Sequence, residues 1–400
     1  MSFGDLKILD WVLIGALVAL FVAQVYWYSR YMAAVARRIR KDKKMRTDSQ
    51  QSPTDAPGVS VILCAHNERE NLSNYLQALL TQNYPTYEVI VVDDGSEDDT
   101  RAIIERYMVQ DPRLHMTFVP YGARVLSTKK LALTLAAKAA QYEYLLLTDA
   151  DCVPESNRWI SEMIQPLLKE GKEISLGFGA YFEEKGHINR LVRFDTLFNG
   201  LHYLGAALCG HPYMGVGRNL AYRKSLFFES GGFTHMMNNK AGDDDLFVNH
   251  VATKRNTAVV VSRDSYTWSL AKKTMKEWWQ QKRRHLSVSP NYRTATKIRL
   301  AMEPLTRGLF YAAVIATIVF AVVNYELKMM NPAFGMAELL LSVAIGLFLL
   351  RWIFQTIILN VSARRMGLKR FHMISVLWFD IVLPLVSLWM LVVPKRQTKW

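Results

Sequence analysis

Apolar residues are distributed in two different patterns along this chain, and the change of pattern divides it. From Trp11 to Tyr28 the sequence is almost uninterrupted apolar, and with Ile8 and Leu9 the run is long enough to cross a hydrocarbon core of roughly 30 Å. Gly308 to Val323, Ala337 to Asn360 and Met373 to Val393 are further apolar runs and predict three more membrane helices. Between Val59 and about Val261 the apolar runs are short and alternate with helical periodicity. VSVILCA, YEVIVVD, LHMTFV and YLLLTDA predict strands, while NLSNYLQALL, TRAIIERYM and KLALTLAAKAA predict helices. Strands of near-continuous Val, Ile and Leu are buried on both faces. The βαβα order therefore predicts an α/β, Rossmann-like domain with a mostly parallel sheet covered by helices. Ligands of such sheets bind beyond the carboxyl ends of the strands, so polar residues just after the strands are the candidates for chemistry.

The plan that follows is a transmembrane anchor at 8–29, a basic juxtamembrane segment and polar linker at 30–58, and a globular domain at 59–270. An amphipathic interface helix is expected at 271–300, and a membrane region of about three spans at 301–400. Arg30, Arg37, Arg38, Arg40, Lys41, Lys43, Lys44 and Arg46 follow the first apolar run, whereas a signal peptide carries its basic region ahead of it. That order predicts a retained anchor with its N-terminus outside and the globular domain cytoplasmic. The Arg364/Arg365/Lys369/Arg370 loop then also falls inside. Pro394-Lys395-Arg396 and Lys399 fall outside after four full spans, against the charge rule, and Asp380 and Pro384 interrupt the last run. Arg351 and Asp380, inside apolar runs, line an acceptor path or form a buried pair.

Half of the residues are hydrophobic, which is high for a soluble enzyme and low for a chain made only of spans. The formal charge of +14 is concentrated beside the apolar runs, so membrane lipids account for it, and no nucleic-acid module is present. Three distant cysteines, Cys64, Cys152 and Cys209, exclude a disulfide framework and a cysteine metal site and fit a reducing compartment.

Five segments carry candidate chemistry. In AHNERENL, Asn67 and Glu68 stand at a strand-to-helix turn, where they cap the helix or bind a ligand. In VVDDGSEDDT, Asp93 and Asp94 end a strand; a carboxylate there accepts from a base or ribose, or makes an Asx turn beside a cap by Asp99 or Thr100. In LLLTDADC, Asp149 and Asp151 point the same way from an extended segment and repel each other unless a cation or donor lies between them. Such oxygen ligands suit Mg2+ or Mn2+ bridging to a substrate diphosphate. In AGDDDLFV, Asp243, Asp244 and Asp245 precede a helical pattern, where one can act as general base or all can favour the helix N-terminus. In KEWWQQKRRHL, Gln281 and Arg284 reach a donor diphosphate, or the segment is an interfacial helix with Trp278 and Trp279 at headgroup level. HINRLVRFDTLFNGLHYLGAAL reads as another interface helix, and PYMGVGRNLAYRK, with Gly215 and Gly217, as a flexible loop lining the acceptor site or as an ordinary structural loop.

In this order, VVDDGS, TDAD, GDDDL and QKRRH resemble the family-2 inverting glycosyltransferases with the GT-A fold. The membrane-integrated branch, with the cellulose, hyaluronan and poly-N-acetylglucosamine synthases, is the most similar, and the likeness covers about Val59 to Ser289. The resemblance implies a nucleotide-sugar donor of the UDP type, bound by Asn67, Glu68, Asp93, Asp94, Lys129, Asp149, Gln281 and Arg284. It implies a metal held by Asp149 and Asp151, with Asp151 the more direct ligand. Counting back from Leu246, it makes Asp243 the base, with Asp244 in reserve. It also implies transfer with inversion to a polysaccharide or lipid-linked acceptor at a bacterial inner membrane, in cell-envelope polysaccharide biosynthesis. A homo-oligomer or an accessory secretion partner is compatible with it. The chain departs from the pattern at His285, where the polymerases carry a Trp, so single addition to a lipid stands beside processive synthesis. A non-catalytic nucleotide-binding scaffold is the remote alternative.

Overall fold

The computed structural model describes residues 3–45, 56–120, 128–237, 239, 241–330 and 337–392. Most of the expected polar linker and the whole basic tail lie outside the described residues. The strands, in chain order, are β1 (Val59–Ala65), β2 (Tyr87–Asp93), β3 (Leu114–Phe118), β4 (Tyr144–Leu147), β5 (Cys152–Pro154), β6 (Ile174–Leu176), β7 (Gly179–Tyr181), β8 (Leu220–Arg223), β9 (Thr257–Val259) and β10 (Thr267–Ser269). The four predicted strands form as expected and lie side by side as the parallel half of a seven-stranded sheet of order β3-β2-β1-β4-β8-β6-β9. β1 and β2 are buried almost throughout because helices cover both faces.

Register aligns the carboxyl ends. Ala65 pairs with Asp93 and Ile62 with Leu147, so the residues after β1, β2 and β4 emerge on one edge. β8 runs antiparallel to β4 and begins opposite Leu147, so the segment leading into it arrives at the same edge. A second sheet, β5-β10-β7, stands beside it.

Among the described residues, four helices are long and apolar enough to cross a membrane: Ile8–Lys44, Thr294–Glu326, Ala337–Arg365 and Met373–Met390. The last is continuous through Pro384. Within the segment expected as one interface helix at 271–300, the helix covers Met275–Leu286, and Thr294 already begins the next membrane helix. Trp278 is buried rather than at headgroup level, which corrects the interfacial reading for that residue.

Arg351 and Asp380 form the buried pair rather than an open path. Asp380 accepts from Arg351 at 2.8 Å, Arg307 at 2.9 Å, Tyr311 at 2.5 Å and Gln355 at 2.7 Å. Gln24 of the first helix accepts from Arg351 at 3.0 Å, tying the network across the bundle. Pairing opposite charges this way is what permits them among apolar helices.

Helix His187–Leu208 differs from a surface-lying interface helix because most of its length is buried between the sheet domain and the long apolar helices. Glycine makes this approach possible: a Cβ on Gly205 would lie 2.1 Å from the carbonyl oxygen of Tyr31. Tyr31 sits in a π-helical turn, Tyr28–Met32, where the first membrane helix continues into its basic extension. A half-buried ion pair, Lys282 to Asp195 at 2.5 Å, joins the same helix to Met275–Leu286.

Candidate active site

Turns after the parallel strands build one wall of the site. Asn67 adopts a left-handed backbone, φ 57°, which Asn tolerates better than most residues. Its side-chain carbonyl accepts from the Glu97 amide at 2.8 Å, stitching the turn after β1 to the turn after β2 rather than capping its own helix. Glu68 stands at the helix N-cap, but its carboxylate accepts from Asn71 instead, at 2.5 Å. Desolvation, and the nearby charges of Asp151 and Asp149, raise its pKa. Asp93 makes the Asx turn, accepting from the Ser96 amide at 2.9 Å, and Asp98 rather than Asp99 accepts from the Thr100 amide. Asp94 is different: one carboxylate oxygen is buried with no partner among the described residues.

Lys129 joins the motifs. Its Nζ lies 3.0 Å from Asp149 and 3.3 Å from Asp243, bridging the turn after β4 to the acidic run before helix Asp245–Val251. Desolvation opposes its charge, yet the carboxylates hold it protonated well above its ordinary range. Asp149 is likewise desolvated, but Lys129, Arg218 and Arg284 keep it below the usual carboxylate value. Asp151, desolvated beside Asp149, is raised. The adjacent Lys130 points elsewhere. Fully buried, it donates to the carbonyls of Met236, Asn239 and Ala241 and so fixes the loop ahead of Asp243. The cleft between these groups is lined by Cys64, Lys129, Asp149, Gly217 and Asp243.

Ligand atoms of Asp149, Asp151 and Cys152 lie within 4.8 Å of one another. Burial pushes the Cys152 thiol well above its ordinary range, so it stays protonated and offers little to a hard cation. Two carboxylates remain, the donor set that Mg2+ or Mn2+ prefers.

Asp243 and Asp244 are now distinguishable. Asp244 is committed to the backbone: it accepts from the Gly217 amide at 2.6 Å and the Asp245 amide at 2.8 Å. Desolvation and its neighbour Asp243 raise it to about 6. Asp243 faces the cleft. Asp245 is buried.

Sequence reasoning placed Arg218 only within a candidate acceptor-site loop, with no role of its own, and missed Tyr181. Arg218 lies over the Tyr181 ring, 4.5 Å from its centroid, and reaches Ser269 at 3.4 Å. Its backbone carbonyl accepts from Thr148 and Thr267, and the buried Asn219 side chain is bonded to Phe178, Ser265 and Trp159. The segment 215–219, expected as flexible, is thus firmly held at its C-terminal half. A charged residue between glycine and asparagine, just ahead of the apolar LAYR, was the available signal. Gln281 donates to the Tyr181 hydroxyl at 3.0 Å, while Arg284 is exposed near Asp149.

Residues 60–231 match the sequence profile of Glycosyl transferase family 2, and they lie in a mixed α/β domain of GT-A-like fold. The chain is 32% identical over 124 residues to the putative teichuronic acid biosynthesis glycosyltransferase TuaG of Bacillus subtilis, covering 30% of this chain and 45% of that one. It is 35% identical over 96 residues to a poly-beta-1,6-N-acetyl-D-glucosamine synthase of Staphylococcus epidermidis, covering 24% and 22%. The matches thus span less than half the length of these relatives. Among solved structures, a mannosyltransferase from Pyrobaculum calidifontis in complex with GDP-Man and Mn2+ superposes with a TM-score of 0.52 at 19% identity. That likeness covers 83% of this chain and 99% of the other, and it shows the fold.

Proposed function

We propose that this chain is a membrane-embedded glycosyltransferase that moves a sugar from a nucleotide-diphosphate sugar, with inversion, to a hydroxyl group presented at the cytoplasmic membrane surface. One observation carries this reading: Lys129 bridges Asp149 and Asp243, so motifs far apart in the chain converge at the carboxyl edge of the sheet. Asn67, Glu68, Asp93 and Asp94 form the nucleotide side. Asp149 and Asp151 would hold Mg2+ or Mn2+, which would supply charge neutralisation for a departing diphosphate. Lys129, Arg218 and Arg284 add fixed positive charge toward the same oxygens, already oriented and needing no reorganisation as charge develops. Asp243, with no backbone partner among the described residues, takes the acceptor proton, and Asp244 positions it by clamping the loop at Gly217. The GDP-Man and Mn2+ in the mannosyltransferase support a nucleotide sugar and a divalent cation as classes; the UDP preference rests on the family resemblance.

Single addition to a lipid acceptor is favoured over polymer export by the network around Asp380, which fills the centre of the described membrane bundle. The test is a panel of labelled nucleotide sugars offered to the purified full chain in lipid nanodiscs with Mn2+, reading nucleotide release and product size. Release with one donor and a discrete lipid-sized product is expected. A polymer ladder removes the single-addition reading, and no release with any donor removes the enzyme.

A further inference from the structure

A second, shallow and partly open cleft lies where three separate parts of the chain meet. Its walls are Phe178 and Tyr181 around β7, Arg193 and Leu197 of helix His187–Leu208, and Lys369 and Phe371 of the loop between the last two membrane helices. Arg193 is the telling residue. Its side chain is only 14% exposed, the nearest carboxylate, Glu183, is 3.9 Å away, and its guanidinium makes no hydrogen bond among the described residues. It lies instead 6.0 Å from the Phe371 ring centroid. Glu183 is itself paired with Lys369. Two cations therefore share one carboxylate that is half exposed, and the cleft has a positive excess with guanidinium donors unclaimed. A guanidinium fork beside an ammonium group is the chemistry that recognises phosphate.

The location argues for a lipid as the source of that phosphate. Phe371 lies two residues ahead of Met373, where the last membrane helix begins, so one wall of the cleft stands at the membrane edge. From the other side, Tyr181 reaches toward the proposed donor-binding groups: Arg218 lies over its ring and its hydroxyl accepts from Gln281. We propose that this cleft holds the phosphate of an anionic lipid headgroup, anchoring a lipid acceptor one aromatic ring away from Arg218. This inference rests on the proposed transferase reading for its purpose, though not for its test.

The test uses the purified full chain in uncharged detergent micelles, with dioleoyl phosphatidic acid as probe and dioleoylglycerol as the uncharged control, read by native mass spectrometry. Phosphatidic acid should bind about tenfold more tightly than dioleoylglycerol, and Arg193→Gln should remove that preference. Lys369→Gln, at an exposed position, should weaken it severalfold and serves if Arg193→Gln does not fold. Equal binding of the two lipids, or unchanged binding by folded variants, overturns the proposal. Full displacement by inorganic phosphate at equal concentration also overturns it, because the cleft then selects a soluble anion. Metal-dependent nucleotide release by the same preparation reports separately on the transferase reading.

Discussion

Gly179→Ala adds one methyl group at a position that touches no proposed catalytic carboxylate, and it should cripple the site. The new Cβ would stand 2.2 Å from Nε of Arg218, 2.6 Å from Cδ and 2.8 Å from Cγ, about 1 Å short of ordinary contact. These are mid-chain atoms, so no terminal rotation relieves the clash. Nor can the backbone of Arg218 retreat: Thr148 at 3.2 Å and Thr267 at 3.0 Å donate to its carbonyl, and the neighbouring Gly217 amide is bound by Asp244 at 2.6 Å. The guanidinium must leave the Tyr181 ring, giving up a cation–π contact of about 0.5–2 kcal/mol. Overpacking itself costs typically about 1–3 kcal/mol of stability. Moving a charge-positioning group by about 1 Å lowers the rate on the order of a hundredfold, or about 2.7 kcal/mol in the barrier. Nucleotide release by Gly179→Ala, Arg218→Ala and the double variant, each checked for folding by thermal melting in detergent, measures this. Comparable losses in the single variants and no further loss in the double variant are expected. A folded Gly179→Ala with full kcat/KM, or losses that add, would refute the role given to Arg218.

Two further outcomes follow from the same geometry. Asp244 has a native pKa of about 6, above its ordinary 3.8, so the folded state takes up this proton first as the pH falls. This group's contribution to stability therefore rises between about pH 6 and 4. Transfer should fall over the same range, because a protonated carboxyl no longer accepts from both the Gly217 and Asp245 amides; a pH–rate profile with no acid limb near 6 contradicts this. Gly205→Val would drive its side chain into the Tyr31 carbonyl, which stands 2.1 Å from the position of Cβ. It should lower the melting temperature through a cost of about 1–3 kcal/mol or more, and unchanged melting would show that the membrane helix is not docked there.

The parallel half of the sheet was legible because β1, β2 and β4 are nearly continuous apolar runs, and a strand buried on both faces writes itself that way. The three-residue strands β5, β7 and β10 were not, since so short a segment has no period; yet β7 carries Tyr181 and Gly179. Lys129, Asp149 and Asp243 were legible through motif order, and the structure adds that they meet. Asp243 and Asp244 could not be separated by spacing, because what separates them is the Gly217 amide, 27 residues away in the chain. A role for Arg218 escaped for the same reason: its meaning depends on a glycine on another strand that leaves it room. The helix His187–Leu208 has an amphipathic sequence, but its polar positions include Asn189 and Asp195, which are buried on internal partners rather than wetted.

The metal dependence of donor turnover tests the central claim most directly. Nucleotide release by the purified full chain is measured after chelation, after return of Mn2+ or Mg2+, and in Asp149→Asn and Asp151→Asn. The account predicts that chelation abolishes release, that either cation restores it, and that each variant loses on the order of a hundredfold or more at saturating metal while keeping its melting temperature. Full release in the presence of chelator, or wild-type release by both variants, would contradict the assignment of this edge of the sheet as a metal-assisted glycosyl-transfer site.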